Sequence, residues 1–172
     1  MTMKKSLFLL AAFACCLFTL TACGDDDEPK VTPKATATYT INFHQDLLDA
    51  ASVIVYYKGE NGAVKFEPVS TTVWKKTVSS TKFPAEFAFQ IAYSPKDAAE
   101  LTKDSYNLDV AGSIDGSLNT GEAFYFSRTL MSAPTQKDKV ISTLEKHSGK
   151  DVMGYTVTKN GTATAMTSIN LK

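Results

Sequence analysis

The sequence is short of cysteine and arginine, and each shortage excludes a class of function. All three cysteines, Cys15, Cys16 and Cys23, lie in the first 23 residues, so the rest of the chain contains no thiol. That part therefore has no disulfide, no zinc site built on cysteine and no cysteine nucleophile. The sole arginine is Arg128, which argues against a dedicated surface for phosphate groups.

An excess of charge of one sign is missing as well. The 172 residues include 18 basic and 18 acidic side chains. Lys4 and Lys5 belong to the amino-terminal segment discussed below, so the remainder is only slightly acidic. This balance gives no electrostatic reason to expect nucleic acid as a partner. The composition, with 44% apolar and 21% charged residues, is typical of one globular domain.

Motifs that mark enzymes are also missing. The chain contains no G-x-S-x-G, H-E-x-x-H, G-x-G-x-x-G or phosphate-binding loop pattern. We therefore predict a protein that is not an enzyme, with no catalytic residue, no cofactor and no metal ion. A small hydrolase remains the third hypothesis, because two carboxylates that are distant in sequence can meet in space without forming a motif.

Residues 1–22 have the features of a secretion signal. Lys4 and Lys5 precede the run LFLLAAFACCLFTL, which contains 14 apolar or small residues. A transmembrane helix needs about 20 such residues, so this run is too short for a permanent span and is typical of a signal peptide.

The signal ends in Leu20-Thr21-Ala22-Cys23, which resembles the lipobox of bacterial lipoproteins. The resemblance implies cleavage between Ala22 and Cys23 and attachment of a diacylglycerol to the sulfur of Cys23. Several acyl chains anchor a protein firmly in a membrane, whereas a single chain holds it only weakly. The membrane is therefore the first partner that we expect.

Four acids, Asp25, Asp26, Asp27 and Glu28, follow the cysteine almost at once. This run resembles the acidic export signal of Bacteroidota surface lipoproteins, which implies a position on the outer membrane facing the cell exterior. The acids also suit a solvated tether. We predict a signal peptide at 1–22, a lipidated cysteine and acidic tether at 23–34, and one domain at 35–172.

The domain has a period-two pattern that predicts short β-strands. Pro68 indicates that one strand lies at an edge, and Asn61-Gly62 is a strong hairpin signal. A helix is expected around 134–150, with an apolar stripe at Val140, Ile141 and Leu144. The predicted strands are ATATYTINF, SVIVYYK, AVKFEPV, TTVWKKTV, EFAFQIAYS, YNLDVAGSID, EAFYFSRTL, YTVTK and TATAMTSINL.

These strands do not alternate with helices, so a parallel sheet is not expected. The pattern predicts an all-β, antiparallel β-sandwich of immunoglobulin-like or transthyretin-like kind, with one short helix near the C-terminus. An up-and-down barrel of lipocalin type is the alternative, since eight strands can also close on themselves.

Four aromatic residues form the candidate ligand surface: Tyr56, Tyr57, Trp74 and Tyr125. Rings on strands can stack on the faces of sugars, but they can equally fill a core, and Trp74 suits the buried centre of a sandwich.

The histidines and one loop suggest weaker candidates. His44 lies near Asp46 and Asp49, yet no third ligand or nucleophile is spaced to match, so we interpret it as a surface histidine at a strand end. His147 suits the negative end of a helix dipole. The oxygen-rich stretch 115–122 faintly suggests calcium but lacks the carboxylates of a calcium loop, so a hairpin is favoured.

The stretch SVIVYYKGENGAVKFEPVSTTVWKKTVSSTKFPAEFAFQIAYSPK resembles a recurring class of small lipoproteins from gut Bacteroidota. The resemblance implies a surface β-sandwich of uncharacterised function. We therefore expect a lipid-anchored binding module that captures a glycan or a protein. A structural or accessory subunit of an outer-membrane assembly is the second hypothesis. No feature of the sequence indicates an oligomeric state.

Overall fold

The computed structural model describes residues 31–132 and 134–172, and these residues form an antiparallel β-sandwich. This confirms the all-β prediction, and since the sheets do not close on themselves, the lipocalin-type barrel is wrong. The strands are β1 (Ala35–Phe43), β2 (Ala51–Lys58), β3 (Val64–Val69), β4 (Val73–Ser80), β5 (Ala85–Pro95), β6 (Ser105–Asn107), β7 (Val110–Leu118), β8 (Ala123–Met131), β9 (Pro134–Gln136), β10 (Asp151–Val157) and β11 (Ala163–Ala165). The helices are α1 (Gln45–Ala50) and α2 (Lys137–His147).

Two sheets make the sandwich, and a third is a small addition. Sheet A has the strand order β4-β1-β7-β8, and sheet B has the order β11-β10-β5-β2-β3. The short strands β6 and β9 pair only with each other. The two sheets therefore have four edge strands among the described residues: β4, β8, β3 and β11.

The core follows directly from the period-two pattern. In β1 the residues Ala35, Ala37, Tyr39, Ile41 and Phe43 are buried, while the threonines between them are half-buried on the other face. Strand β5 supplies the corresponding residues of sheet B, with Phe87, Phe89 and Ile91 fully buried. Alternate side chains of a strand point to opposite faces, so each strand sends one set into the core.

The structure confirms the predicted helix and adds elements that the sequence did not indicate. Helix α2 buries Val140 and Leu144 as expected, but the residues before it form β9. The six-residue helix α1 was not predicted. The predicted strand YNLDVAGSID is wrong as one element, because β6 belongs to the small sheet and β7 starts anew at Val110.

The predicted last strand is also shorter than expected. Only Ala163–Ala165 pairs with β10, and the following residues cross the outer face of sheet B. There the backbone N–H of Leu171 donates to Gln90 Oε1 at 2.9 Å, and the Leu171 side chain is buried. This segment covers the outer side of β5.

The connections differ between the two ends of the sandwich. At the end where β1 begins, which we call the base, four short turns join strands: residues 59–63, 81–84, 119–122 and 158–162. At the opposite end, which we call the cap, the connections carry both helices and the small sheet. The side chain of Asn119 holds the incoming chain at the base, since it accepts from Lys34 N at 2.8 Å and donates to Thr32 O at 3.0 Å.

We expect the substitution Gly116→Ala in β7 to destabilise the fold by about 1–3 kcal/mol. A Cβ atom there would lie 2.5 Å from the carbonyl oxygen of Thr36 and closer still to the Phe124 ring. Urea unfolding followed by circular dichroism measures the loss. The neighbouring exposed substitution Ser117→Ala should change stability by less than about 0.5 kcal/mol, and equal effects of both would contradict the packing argument.

Candidate functional site

The four rings predicted as a ligand surface do not share one face. Tyr57 is 1% exposed and Trp74 is 7% exposed, so both belong to the core. Tyr56 is half-buried on the outer face of sheet B. Tyr125 is 64% exposed on the outer face of sheet A. The structure therefore removes two of the candidate residues from the surface and divides the others between opposite sides of the sandwich.

A carboxylate accepts hydrogen bonds from the polar atoms of Tyr57 and Trp74 inside the sandwich. Glu67 of β3 accepts a 2.8 Å hydrogen bond from the Tyr57 hydroxyl, a 3.3 Å bond from Trp74 Nε1 and a 2.5 Å bond from Lys76 Nζ. Tyr57 belongs to sheet B, whereas Trp74 and Lys76 belong to sheet A. Glu67 therefore ties the two sheets together along the side where β3 and β4 are the edge strands.

The bond from Lys76 is the main reason that the pKa of Glu67 is lowered, while partial burial opposes the shift. The same pair raises the pKa of Lys76. Both groups therefore keep their charges over a wide pH range, and the carboxylate remains an acceptor for the two ring donors.

Tyr56 belongs to an apolar strip on the outer face of β2 and β3. Its ring lies 5.9 Å from that of Phe66, which is 66% exposed, and Val64 is half exposed. Ile54 and Pro68 occupy the adjoining position on the same face. Exposed apolar groups that adjoin one another in this way commonly mark contact surfaces for proteins.

Tyr125 belongs to a different surface, the outer face of sheet A. The register places sixteen residues of β4, β1, β7 and β8 on this face, and all are exposed or half-buried. Ten of them carry hydroxyl groups: Thr36, Thr38, Thr40, Thr77, Ser79, Ser113, Ser117, Tyr125, Ser127 and Thr129. The only charged residues among the sixteen are Lys75 and Asp115. We call this surface the hydroxyl face.

Most hydroxyl groups of this face are available to a ligand. Thr38 and Thr77 bond to each other at 2.8 Å, and Ser79 donates to Glu60 at 2.7 Å. The other seven hydroxyl side chains make no hydrogen bond to any described residue. A hydroxyl group both donates and accepts, so the face offers a broad, nearly uncharged array of such groups around one exposed ring.

The acids near His44 have structural roles at the cap. His44 Nδ1 accepts from Asp46 N at 3.1 Å and so caps α1. Lys103 Nζ donates to Asp46 at 2.5 Å and to Asp49 at 2.9 Å. The backbone N–H of Asn107, together with Lys103, lowers the pKa of Asp46. These contacts join α1 to the connection between β5 and β7.

His147 has a partner that the sequence did not suggest. Its Nδ1 lies 2.8 Å from Oδ1 of the buried Asp151, and the Tyr93 hydroxyl donates to the other carboxylate oxygen at 2.6 Å. Burial and the adjacent Asp151 raise the pKa of the Tyr93 hydroxyl, so it stays protonated and keeps donating. The three side chains fasten the end of α2 to β5 and β10.

The stretch 115–122 is a strand end and turn rather than a cation loop. Asp115 and Ser117 lie in β7, Asn119 holds the incoming chain, and Thr120 donates to Glu122. Among the described residues, no cluster of three or more histidine or acidic side chains could hold a metal ion. None of the helices in the same part of the chain has the length and apolar character that crossing a membrane requires.

The signal peptide, Ala22, Cys23 and the acids Asp25, Asp26, Asp27 and Glu28 lie outside the described residues. A comparison with protein families, with curated proteins and with solved structures finds no significant match to this chain.

Sequence reasoning overlooked the hydroxyl face, although a signal was present. The alternation of Thr36, Thr38 and Thr40 with buried residues marks one face of β1 as rich in hydroxyl groups. The polar positions of β7 and β8 continue this pattern, but only the strand order brings them beside β1 and β4.

We expect Glu67→Gln to destabilise the fold by about 1 kcal/mol at pH 7, a value reduced by the partial exposure of the carboxylate. Because the folded pKa of Glu67 is lowered, its contribution is complete above the ordinary value of 4.5 and disappears as the pH falls through the folded pKa. The difference between variant and parent should therefore shrink below about pH 4.5. Denaturant unfolding across pH measures it, with the exposed Glu145→Gln as control; a pH-independent difference would contradict this.

Proposed function

We propose that the chain is a lipid-anchored module on the outer membrane that binds a neutral glycan on the hydroxyl face. The observation that carries this proposal is the face itself, with ten hydroxyl-bearing residues among sixteen and one exposed ring, Tyr125. The proposal assigns no catalytic step to the protein.

The chemistry of the face fits a neutral sugar better than other ligands. Sugars present hydroxyl groups at their rims, which can exchange hydrogen bonds with serine and threonine directly or through water. They also present an apolar ring face, which can stack on an exposed tyrosine. Lys75 and Asp115 are of opposite charge, so the face gives no preference for an anionic or a cationic ligand.

The anchor is supported by the sequence features at Cys23 and by the way the chain joins the domain. The segment that precedes β1 meets the sandwich at the base, where Asn119 holds Thr32 and Lys34. The hydroxyl face runs along the strands from the base to the cap. It is therefore a side surface of the domain.

A second candidate function is that of an accessory subunit of an outer-membrane assembly, with a protein as partner. The apolar strip around Tyr56 and Phe66 favours this function, because proteins seldom leave adjacent large apolar groups exposed without a use for them. Co-purification of an envelope protein that is lost in Phe66→Ser, with Tyr125→Ser as the matched control, would support it.

The small hydrolase receives the least support. A cavity of about 200 Å³ at the base is lined by Asn61, Gly62, Ser80, Lys82, Pro84 and Glu86. It contains one carboxylate, whereas glycoside hydrolysis generally uses two.

We expect Cys23→Ala to abolish acylation and to release the protein from the membrane. Thioether formation requires the sulfur of this residue, and acyl chains supply the anchoring free energy. Mass spectrometry of the full-length protein and fractionation of cells measure the two effects. Cys16→Ala is the matched control and should remain acylated and in the membrane fraction. An unacylated parent protein would contradict the anchor.

We expect Tyr125→Ala to weaken binding to a neutral polysaccharide by about fivefold, since stacking of an aromatic ring contributes about 1 kcal/mol. Affinity electrophoresis of the full-length protein through gels that contain neutral or acidic polysaccharides measures the binding. Tyr56→Ala, on the opposite sheet, should bind like the parent. A parent protein retarded by none of the neutral polysaccharides would contradict the glycan proposal.

A further inference from the structure

We infer that β8 is a pairing edge, and that it joins β8 of a second copy of this chain to extend sheet A across the two molecules. The inference concerns how the molecules assemble. It does not rest on the nature of the ligand.

Of the four edge strands, three have features that discourage further pairing. Strand β3 contains Pro68, which has no N–H group to donate, and β11 has only three residues. On β4, the Thr71 hydroxyl donates to the carbonyl of Val73, and Glu60 accepts from the N–H of Ser79. Natural proteins protect sheet edges by such means, because an open edge attracts another strand.

Strand β8 lacks these features over most of its length, and its one charged side chain is Arg128, on the inner side. It has nine residues without proline, and its bulge lies near its end, beside Val110 of β7. Within the described part of the chain, no side chain makes a hydrogen bond to the backbone of residues 123–129. This edge therefore presents a row of open donors and acceptors.

The phase of the hydrogen-bond ladder identifies which groups are open. Leu118 of β7 lies opposite Glu122, the residue that precedes β8. The backbone N–H of Leu118 donates to the carbonyl oxygen of Glu122 at 2.7 Å, so these two residues form a hydrogen-bonded pair. Hydrogen-bonded and non-bonded pairs alternate along an antiparallel ladder. The backbone groups of Phe124, Phe126 and Arg128 therefore face β7. Those of the intervening residues face outward: Ala123, Tyr125, Ser127 and Thr129.

One antiparallel register uses all four open residues. If a two-fold axis passes through Phe126, Tyr125 lies opposite Ser127 of the second copy, and Ala123 lies opposite Thr129 of the second copy. Each of these pairs exchanges two hydrogen bonds. A two-fold pairing is self-complementary, so the same patch serves both molecules.

The side chains on the inner side suit this register. Phe126 is half-buried and stacks on Tyr155, with ring centroids 3.5 Å apart and planes 9° apart. Across the axis it meets Phe126 of the second copy, which adds an aromatic pair. Arg128 lies opposite the uncharged Phe124 of the second copy, so this register brings no like charges together. The alternative register that opposes Arg128 with itself would bring like charges together.

The pairing also extends the hydroxyl face. Tyr125, Ser127 and Thr129 lie on the outer side of β8, so the faces of the two copies become one continuous surface eight strands wide.

Cysteine cross-linking of the full-length chain in membranes tests the register. We expect Phe126→Cys to give a disulfide-linked dimer on mild oxidation, because a non-hydrogen-bonded pair on the axis brings the two Cα atoms to about 4.5 Å. Arg128→Cys is the matched control, and should not link to itself because its two copies lie on opposite sides of the axis. The unsubstituted chain reports any background from its native cysteines.

A second pair of variants avoids changes to the half-buried ring. Tyr125→Cys and Ser127→Cys replace exposed residues, and chains that carry different tags can be expressed together. A mixed dimer should form only when both variants are present.

Finally, Ser127→Pro removes an outward N–H and leaves the pairing with β7 in place. It should lower the yield of linked dimer by about tenfold, whereas Ala165→Pro on the β11 edge should not. Linkage at Phe126 and between positions 125 and 127 supports the inference. No linkage at either site, or equal linkage of Arg128→Cys, overturns it. Glycan binding is measured in a separate experiment, so the glycan proposal and the β8 pairing can each be contradicted without affecting the other.

Discussion

The contact between the Glu67 carboxylate and its three donors, Tyr57, Trp74 and Lys76, organises the side of the sandwich where β3 and β4 are the edge strands. It joins the two sheets at their open side and holds two large rings in the core. Because adjacent residues of a strand point to opposite faces, the inward position of Tyr57 places Tyr56 outside. The ring of β2 that can meet a ligand is therefore Tyr56 and not Tyr57.

A buried carboxylate, Asp151, performs a related task at the cap. Asp151 bonds to Tyr93 and His147, and thereby fixes α2 against β5 and β10. Both carboxylates have several partners, which offsets the cost of removing a charge from water. Each of these two carboxylates thus connects strands or helices that are separate in the sequence. The hydroxyl face and the β8 edge are the regular surfaces that remain outside this framework.

The sequence predicted the strands well because alternation is a local property. Burial of Ala35 to Phe43 at every second position, and the apolar stripe of α2, follow from side chains a few residues apart. It did not predict α1, whose six residues are too few to show a helical period. The sequence also could not show which of the candidate rings are buried and which are exposed, because a shift of one residue exchanges the inward and outward faces of a strand. Two of the donors to Glu67, Trp74 and Lys76, lie on β4, whereas Glu67 lies on β3, so this contact is not evident from the sequence.

The segment that crosses sheet B has a practical consequence for reporters and fusions. The backbone N–H of Leu171 is hydrogen-bonded to the Gln90 side chain on β5. A fluorescent protein fused after Lys172 would therefore lie beside the outer side of β5. That position is on the opposite sheet from Tyr125 and leaves the β8 strand unobstructed. A fusion at this position is therefore suitable for imaging and immobilisation, whereas a truncation before Leu171 would expose the amide of Gln90 to solvent.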